Sequence, residues 1–187
     1  MPHAADTACT TDAARACLAE LRSLAGGPAS AMERHCLRVF EIAAELARRR
    51  GVDPDREVLL CAAWLHDAGL YPGAATRETY VVDGRHLAER VVGPFGWPSE
   101  RMTLLGDAIE RHHELRQQWR RGAEVELMRR ADLVDVSAGL VRFGLDRPWL
   151  HHLNEQVARK GMVGEIGKLV GRALRERPTT MAAIFLR

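Results

Sequence analysis

The stretch AAWLHDAG, residues 62–69, closes the longest uninterrupted apolar run of the chain, residues 58–65. Eight apolar residues followed by a glycine stop are typical of a buried helix and its C-terminal end. Neighbouring residues on a helix differ by about 100° in direction, so two adjacent polar side chains share a site only at a helix terminus or edge. The stretch therefore predicts a buried helix whose terminus presents His66 and Asp67 to one site.

Capping and stop signals on both sides of this stretch divide the chain into about eight helices. Ser30 opens a capping box, and Asp53 with the following proline marks the start of the helix that ends in the His-Asp pair. The predicted helices run from Thr11 to Leu24, Ser30 to Arg50, Asp53 to Gly69, Asp83 to Val92, Pro98 to Trp119, Glu124 to Arg142, Asp146 to Gly161 and Val163 to Arg175.

The remaining turn and stop signals predict an all-α single domain. Residues 79–82 form the only strand-like run, and one strand cannot make a sheet. We expect an N-terminal helix in residues 1–29, a helical core in residues 30–143, and C-terminal helices packed on that core in residues 144–187. No linker or internal repeat divides the chain.

Composition and charge narrow the class of protein. The chain has 187 residues, 47% hydrophobic and 28% charged, as in ordinary globular domains. A net charge of +2 does not indicate a nucleic-acid partner, and the longest apolar run is far short of the ~20 residues that span a bilayer. The N-terminus shows no secretory pattern and the four cysteines show no CxxC spacing, so we expect a cytoplasmic protein with reduced thiols.

Imidazole and carboxylate side chains recur on the inward faces of five predicted helices. His35 is followed by apolar residues at helical spacing, and His112 lies seven residues after Leu105. Side chains that converge from several helices can hold a metal in a bundle core. The candidate ligands are His35, His66, Asp67, His86, His112 and Asp132.

These residues stand in an order that resembles the HD superfamily. The matching segments are ERH (33–35), AWLHDAG (63–69), DGRH (83–86), IERHH (109–113) and RADLVD (130–135). The resemblance implies an all-helical fold with a central metal site. It implies one metal on His35, His66, Asp67 and Asp132, and a second on His86 and His112 with Asp67 as the bridge. His113 and Asp135 are the alternate ligands or the partners that orient a ligand.

The resemblance also implies an enzyme. Four imidazoles and two carboxylates suit a divalent transition metal, iron first, with manganese, nickel, cobalt or zinc as alternatives. We expect a hydrolase, with two metals per chain, that uses metal-activated water on a small polar or phosphorylated substrate. The lysine that many relatives carry after the motif is Leu70 here, so other cations would hold a substrate anion. The candidates are Arg38, Arg85, Arg90 and Arg116.

Three alternatives stay open at this stage. A mixed-valent diiron oxygenase, which cleaves a C–C or C–P bond with O₂, would use the same six ligands. The HDxGL form of the motif resembles the form found in hydratases of small nitrile-like compounds, so a hydratase is the second alternative. A binding module with a degenerate metal site is the non-enzymatic alternative, although no ligand position is missing. The sequence predicts no membrane partner and is compatible with a homodimer.

Overall fold

The computed structural model describes residues 4–76 and 78–179, and within them every regular element is helical. This confirms the predicted all-α class. Short 3₁₀ turns occupy Ala68–Leu70 and Gly93–Phe95. The α-helices are α1 (Ala4–Ala8), α2 (Asp12–Ala25), α3 (Ala31–Arg50), α4 (Arg56–Leu65), α5 (Tyr80–Val92), α6 (Ser99–Glu110), α7 (Ala123–Val136), α8 (Arg147–Gln156) and α9 (Met162–Glu176).

Side-chain caps fix several of the helix starts. The hydroxyl of Ser30 accepts a hydrogen bond from the Glu33 amide at 3.0 Å, as the capping box predicts. Asp146 caps α8 through the Trp149 amide at 2.8 Å. The cap of α4 is Asp55 and not Asp53, because the Asp55 carboxylate accepts from the amides of residues 57 and 58.

The core lies where α3, α4, α6 and α7 pack on one another. Phe40, Trp64 and Leu127 are fully buried there, and all four cysteines are buried free thiols. No helix of the described residues is both long and apolar enough to cross a bilayer. These four helices surround the interior into which five of the six predicted ligands project: His35, His66, Asp67, His112 and Asp132.

Several helix boundaries differ from the sequence prediction, including the ends of α4 at Leu65 and of α8 at Gln156, which were expected at Gly69 and Gly161. Helix α6 ends at Glu110 and not at Trp119, and α7 ends at Val136 and not at Arg142. Helix α5 begins at Tyr80, three residues before the predicted start. The end of α7 has a clear cause, since residues 138 and 139 adopt the left-handed conformation.

The predicted division at residues 29/30 and 143/144 stays a prediction. Two helices, α1 and α2, lie in the first segment, where one was expected. Helices α8 and α9 lie in the third. Residues 1–3 and 180–187 of the outer segments are outside the described residues.

A buried carboxylate ties the segment after α6 to α7. Glu126 is fully buried and accepts hydrogen bonds from the Arg129 guanidinium at 2.7 Å, the Arg130 guanidinium at 2.6 Å and the Gln118 amide at 2.6 Å. Burial alone would raise the pKa of Glu126, but the hydrogen bonds from the two arginines outweigh it and lower the pKa to about 2. The contact keeps the chain after α6 out of a helical conformation.

Replacing Glu126 with glutamine is expected to lower the free energy of unfolding at pH 7 by about 3 kcal/mol, since two buried guanidinium groups lose their counter-charge. The folded-state pKa of Glu126 is depressed, so its stabilisation is full above an unfolded pKa of about 4.5 and fades as the pH falls toward about 2. Urea unfolding at pH 7 and pH 3 measures both effects. The exposed Glu100→Gln is the control, and equal stability of Glu126→Gln and wild type at pH 7 would contradict the prediction.

Candidate metal centre

The end of α4 delivers two adjacent ligands, as the sequence predicts. His66 and Asp67 follow the last helical residue, Leu65, and both are buried. The Nδ1 atom of His66 lies 2.9 Å from the carbonyl oxygen of Ala63, so this nitrogen donates to the helix end. The Nε2 atom of His66 is thereby directed into the interior.

Helices α3 and α7 add a second imidazole and a second carboxylate. The Nε2 atom of His35 lies 3.2 Å from the Nε2 atom of His66 and 3.4 Å from Oδ1 of Asp132. On its other side, His35 donates from Nδ1 to Oδ2 of Asp135 at 2.8 Å. Asp135 therefore orients a candidate ligand and lies one step outside the cluster, a common arrangement around metal-binding histidines.

The end of α6 delivers a second adjacent pair, His112 and His113. The Nδ1 atom of His112 lies 2.6 Å from the carbonyl oxygen of Ile109, and its Nε2 atom lies 3.6 Å from Oδ1 of Asp67. The Nδ1 atom of His113 lies 3.7 Å from Oδ2 of Asp132. The His113 side chain is 39% exposed, so the cluster opens to solvent on this side.

These six side chains fit a transition-metal site. The Nε2 atom of His112 is buried with no hydrogen-bond partner among the described residues, which is rare for a buried nitrogen unless another partner binds there. Imidazole nitrogens and carboxylate oxygens are also the donors such metals prefer. Three groups bring their donor atoms within 4.8 Å: His35, His66 and Asp132; His66, Asp67 and His112; and His112, His113 and Asp132.

The electrostatics of the cluster keep both carboxylates ionised. Burial alone would raise the pKa of Asp132, but hydrogen bonds with His35 and His66 outweigh it and hold the pKa well below its usual value. Burial lowers the pKa of His35, while Asp132 and Asp135 together raise it to about 10. Protons on His35 and His66 thus balance the carboxylates, and a divalent cation would take their place.

The prediction that His86 is a metal ligand disagrees with the structure. His86 is exposed and belongs to none of the three groups found among the described residues. Tyr80, Gly84 and Leu87 form the buried face of α5, and His86 points away from that face. His113, predicted only as an alternate ligand, lies in the cluster where His86 was expected.

The four arginines predicted to bind substrate do not project into the cluster. Arg38 is buried and donates to Oδ1 of Asp135 at 2.8 Å, and Arg85 pairs with Glu89 and Glu110 on the outside. Arg90 and Arg116 are exposed. The pair between Arg38 and Asp135 joins residues that are 97 positions apart, so spacing along the chain does not reveal it.

The sequence analysis missed Tyr80 as a site residue. Its ring is 5% exposed and contacts the rings of His112 and His113, and its hydroxyl hydrogen-bonds Nε2 of His113. Asp83, Gly84 and Leu87 follow Tyr80 at helical spacing. That periodicity is the sequence signal that could have placed Tyr80 on the buried face of α5.

Comparison with known families agrees with this geometry. The sequence model of the HD domain matches residues 32–137, which include all six clustered side chains. The chain belongs to the HD-domain family. HD-domain proteins are generally metal-dependent hydrolases. A search of curated proteins finds no match.

Substitution of His86 and of His113 should have different effects on the metal content of the protein. His86→Ala is expected to keep the wild-type metal content, because the side chain is exposed and outside the cluster. His113→Ala is expected to lose metal, because it removes a nitrogen from the group with His112 and Asp132. Elemental analysis of both purified variants measures this. Metal loss in His86→Ala with full retention in His113→Ala would reverse the assignment.

Proposed function

We propose that this HD-domain protein is a metal-dependent hydrolase that uses two divalent transition-metal ions, iron first, on a small polar or phosphorylated substrate. The observation that carries the proposal is the overlap of the three ligand groups. His66, His112 and Asp132 each belong to two of them. Nε2 of each histidine binds a single ion, whereas the two oxygens of Asp132 face His35 at 3.4 Å and His113 at 3.7 Å. A carboxylate shared in this way is the arrangement expected where two ions lie close together.

The ligand set follows from the contacts. His35, His66, Asp67 and Asp132 would hold one ion, as the sequence predicts. His112 and His113 would hold the second, with Asp67 or Asp132 as the bridge, since these carboxylates approach both pairs of imidazoles. Bound metal would supply a Lewis acid that lowers the pKa of water and polarises the substrate.

Hydrogen bonds within the protein orient the histidines of this ligand set. Asp135 and the carbonyl oxygens of Ala63 and Ile109 each accept from the Nδ1 atom of one histidine. His35, His66 and His112 therefore keep their Nε2 atoms directed at the cluster before any ligand binds. Fixed ligands lose little freedom on binding, which favours tight binding and a defined geometry.

Tyr80 completes the open side of the site. Burial raises the pKa of its hydroxyl well above the usual value, and the charges of Asp67 and Asp132 raise it further. The hydroxyl therefore stays protonated and can donate a hydrogen bond. We propose that this proton is donated to an oxygen of the substrate that enters beside His113.

A second candidate function is the diiron oxygenase. The observation that favours it is the composition of the cluster, four imidazoles and two carboxylates: His35, His66, His112, His113, Asp67 and Asp132. That six-ligand set is the one which the oxygenase branch of the superfamily implies. Leu70, in place of the lysine common among phosphohydrolases, keeps the hydratase as the third candidate.

The test combines metal analysis with a substrate panel. Protein prepared with iron, manganese or zinc is assayed for metal stoichiometry and for turnover of phosphomonoesters and small nitriles, with and without O₂. Two metals per chain and hydrolysis that is independent of O₂ are expected. O₂-dependent turnover with a coupled Fe(II)/Fe(III) resonance would replace the hydrolase with the oxygenase, and hydration of a nitrile without ester hydrolysis would replace it with the hydratase.

A further inference from the structure

A second cavity lies on the far side of Asp135 from the metal cluster. It measures about 660 Å³, and none of the six clustered side chains lines it. The end of α7, the face of α8 and residues 158–160 form its walls. Its volume is in the range of sites that hold small organic molecules.

Four cations line this cavity. Arg38 and Arg159 are already engaged, since Arg38 pairs with the Asp135 carboxylate at 2.8 Å and Arg159 donates to the Asp135 carbonyl oxygen at 2.6 Å. The side chains of Arg147 and Lys160 make no hydrogen bond or ion pair with any described residue. No carboxylate lines the cavity, although Glu155 lies 3.5 Å from His151 at its margin. The cavity therefore has a surplus of positive charge that the protein does not neutralise.

The remaining wall is apolar. Val134, Leu140 and Leu150 line it, and Leu140 is 87% exposed. A large exposed apolar side chain beside a cavity often marks a binding surface. A ligand that satisfies both walls carries an anionic group at one end and an apolar body at the other.

The wall formed by residues 158–160 is fixed before any ligand binds. Arg34 donates to the carbonyl oxygen of Ala158 at 3.2 Å and to that of Lys160 at 2.6 Å. Arg38 donates to the carbonyl oxygen of Val157 at 2.7 Å. A pre-formed wall lowers the entropic cost of binding.

We propose that this cavity is a binding site for a small organic phosphate, distinct from the metal centre. The phosphate pairs with Arg147 and Lys160, whose side chains have no other partner among the described residues, and the apolar body lies on Leu140 and Leu150. Guanidinium and ammonium groups are the usual cations for phosphate recognition. The site does not depend on the reaction at the metal centre.

The test is calorimetric titration of the full-length, metal-loaded protein with AMP and with naphthyl phosphate, two organic phosphates with different apolar bodies. The double variant Arg147→Ala with Lys160→Ala removes the two unpartnered cations and leaves Arg38 and Asp135 in place. We expect it to bind the tighter of the two phosphates at least about tenfold more weakly than wild type, with unchanged metal content.

The matched control is Arg120→Ala with Lys168→Ala, which removes the same charge from exposed positions outside the cavity. We expect the control to bind like wild type. Inorganic phosphate should bind more weakly than either organic phosphate, because it has no apolar body. The proposal is overturned if wild type binds neither organic phosphate, or if the double variant and the control bind them equally well.

Discussion

Asp67→Ala is expected to abolish metal binding and, with it, hydrolysis. The Asp67 carboxylate approaches His35, His66 and His112, at 3.7, 3.5 and 3.6 Å. It is therefore the side chain that connects the two ends of the cluster. Loss of a residue that only hydrogen-bonds a metal ligand commonly costs ~10–100-fold in metal affinity. Asp67 is proposed to be a ligand itself, so its loss should cost at least ~100-fold. Titration with Mn²⁺ and elemental analysis measure the loss.

Two further variants separate a lost ligand from a damaged fold. Asp67→Asn keeps the side-chain shape and should also lose metal, because an amide carries no charge. Asp107→Asn is the control, since Asp107 is a largely buried carboxylate that pairs with Arg121 at 3.1 Å, away from the cluster. Full metal content in folded Asp67→Asn and Asp67→Ala would remove Asp67 from the ligand set.

Gly69→Ala is expected to destabilise the protein by at least about 3 kcal/mol. A Cβ atom at this position would lie 2.0 Å from the backbone oxygen of Tyr80 and 2.9 Å from Cβ of Asp83. Backbone atoms at this distance cannot move aside without shifting α5, and overpacking of rigid surroundings costs ~1–3 kcal/mol or more. Thermal or urea unfolding measures the loss.

The control for this prediction is Gly171→Ala. Gly171 lies within α9, and an added Cβ atom would meet nothing within 4 Å. Alanine favours a helix over glycine by roughly 0.8–1 kcal/mol, so this variant should be slightly more stable than wild type. Equal stability of Gly69→Ala and wild type would show that α5 does not approach the turn after Asp67 this closely.

The sequence predicted the parts of the site that depend on local rules. The helix that ends in His66 and Asp67 follows from an apolar run and a stop signal, and the start of α3 follows from the Ser30 capping box. These features are set by residues within a few positions of one another, so one sequence is enough to infer them. The end of α6 just before His112 was not predicted, because the expected helix continued to Trp119.

The sequence predicted His86 at the place that His113 occupies in the structure. This difference depends on contacts between residues that are distant in sequence. Residues 79–82 include two adjacent valines and favour a strand locally. In the structure, Tyr80 and Val81 instead pack with Leu70 and Ala173, and α5 therefore begins early. Ala173 is more than ninety positions away, so local propensity could not place the start of α5 or show that Tyr80 belongs to its buried face.

Helices α4 and α6 both end at the metal cluster, and this gives the site a preference for cations. The last carbonyl groups of a helix carry a partial negative charge, and the two carboxylates add to it, so the unloaded site draws protons onto His35 and His66. A divalent cation would replace those protons. If the proposed substrate is anionic, its affinity should therefore rise with metal occupancy.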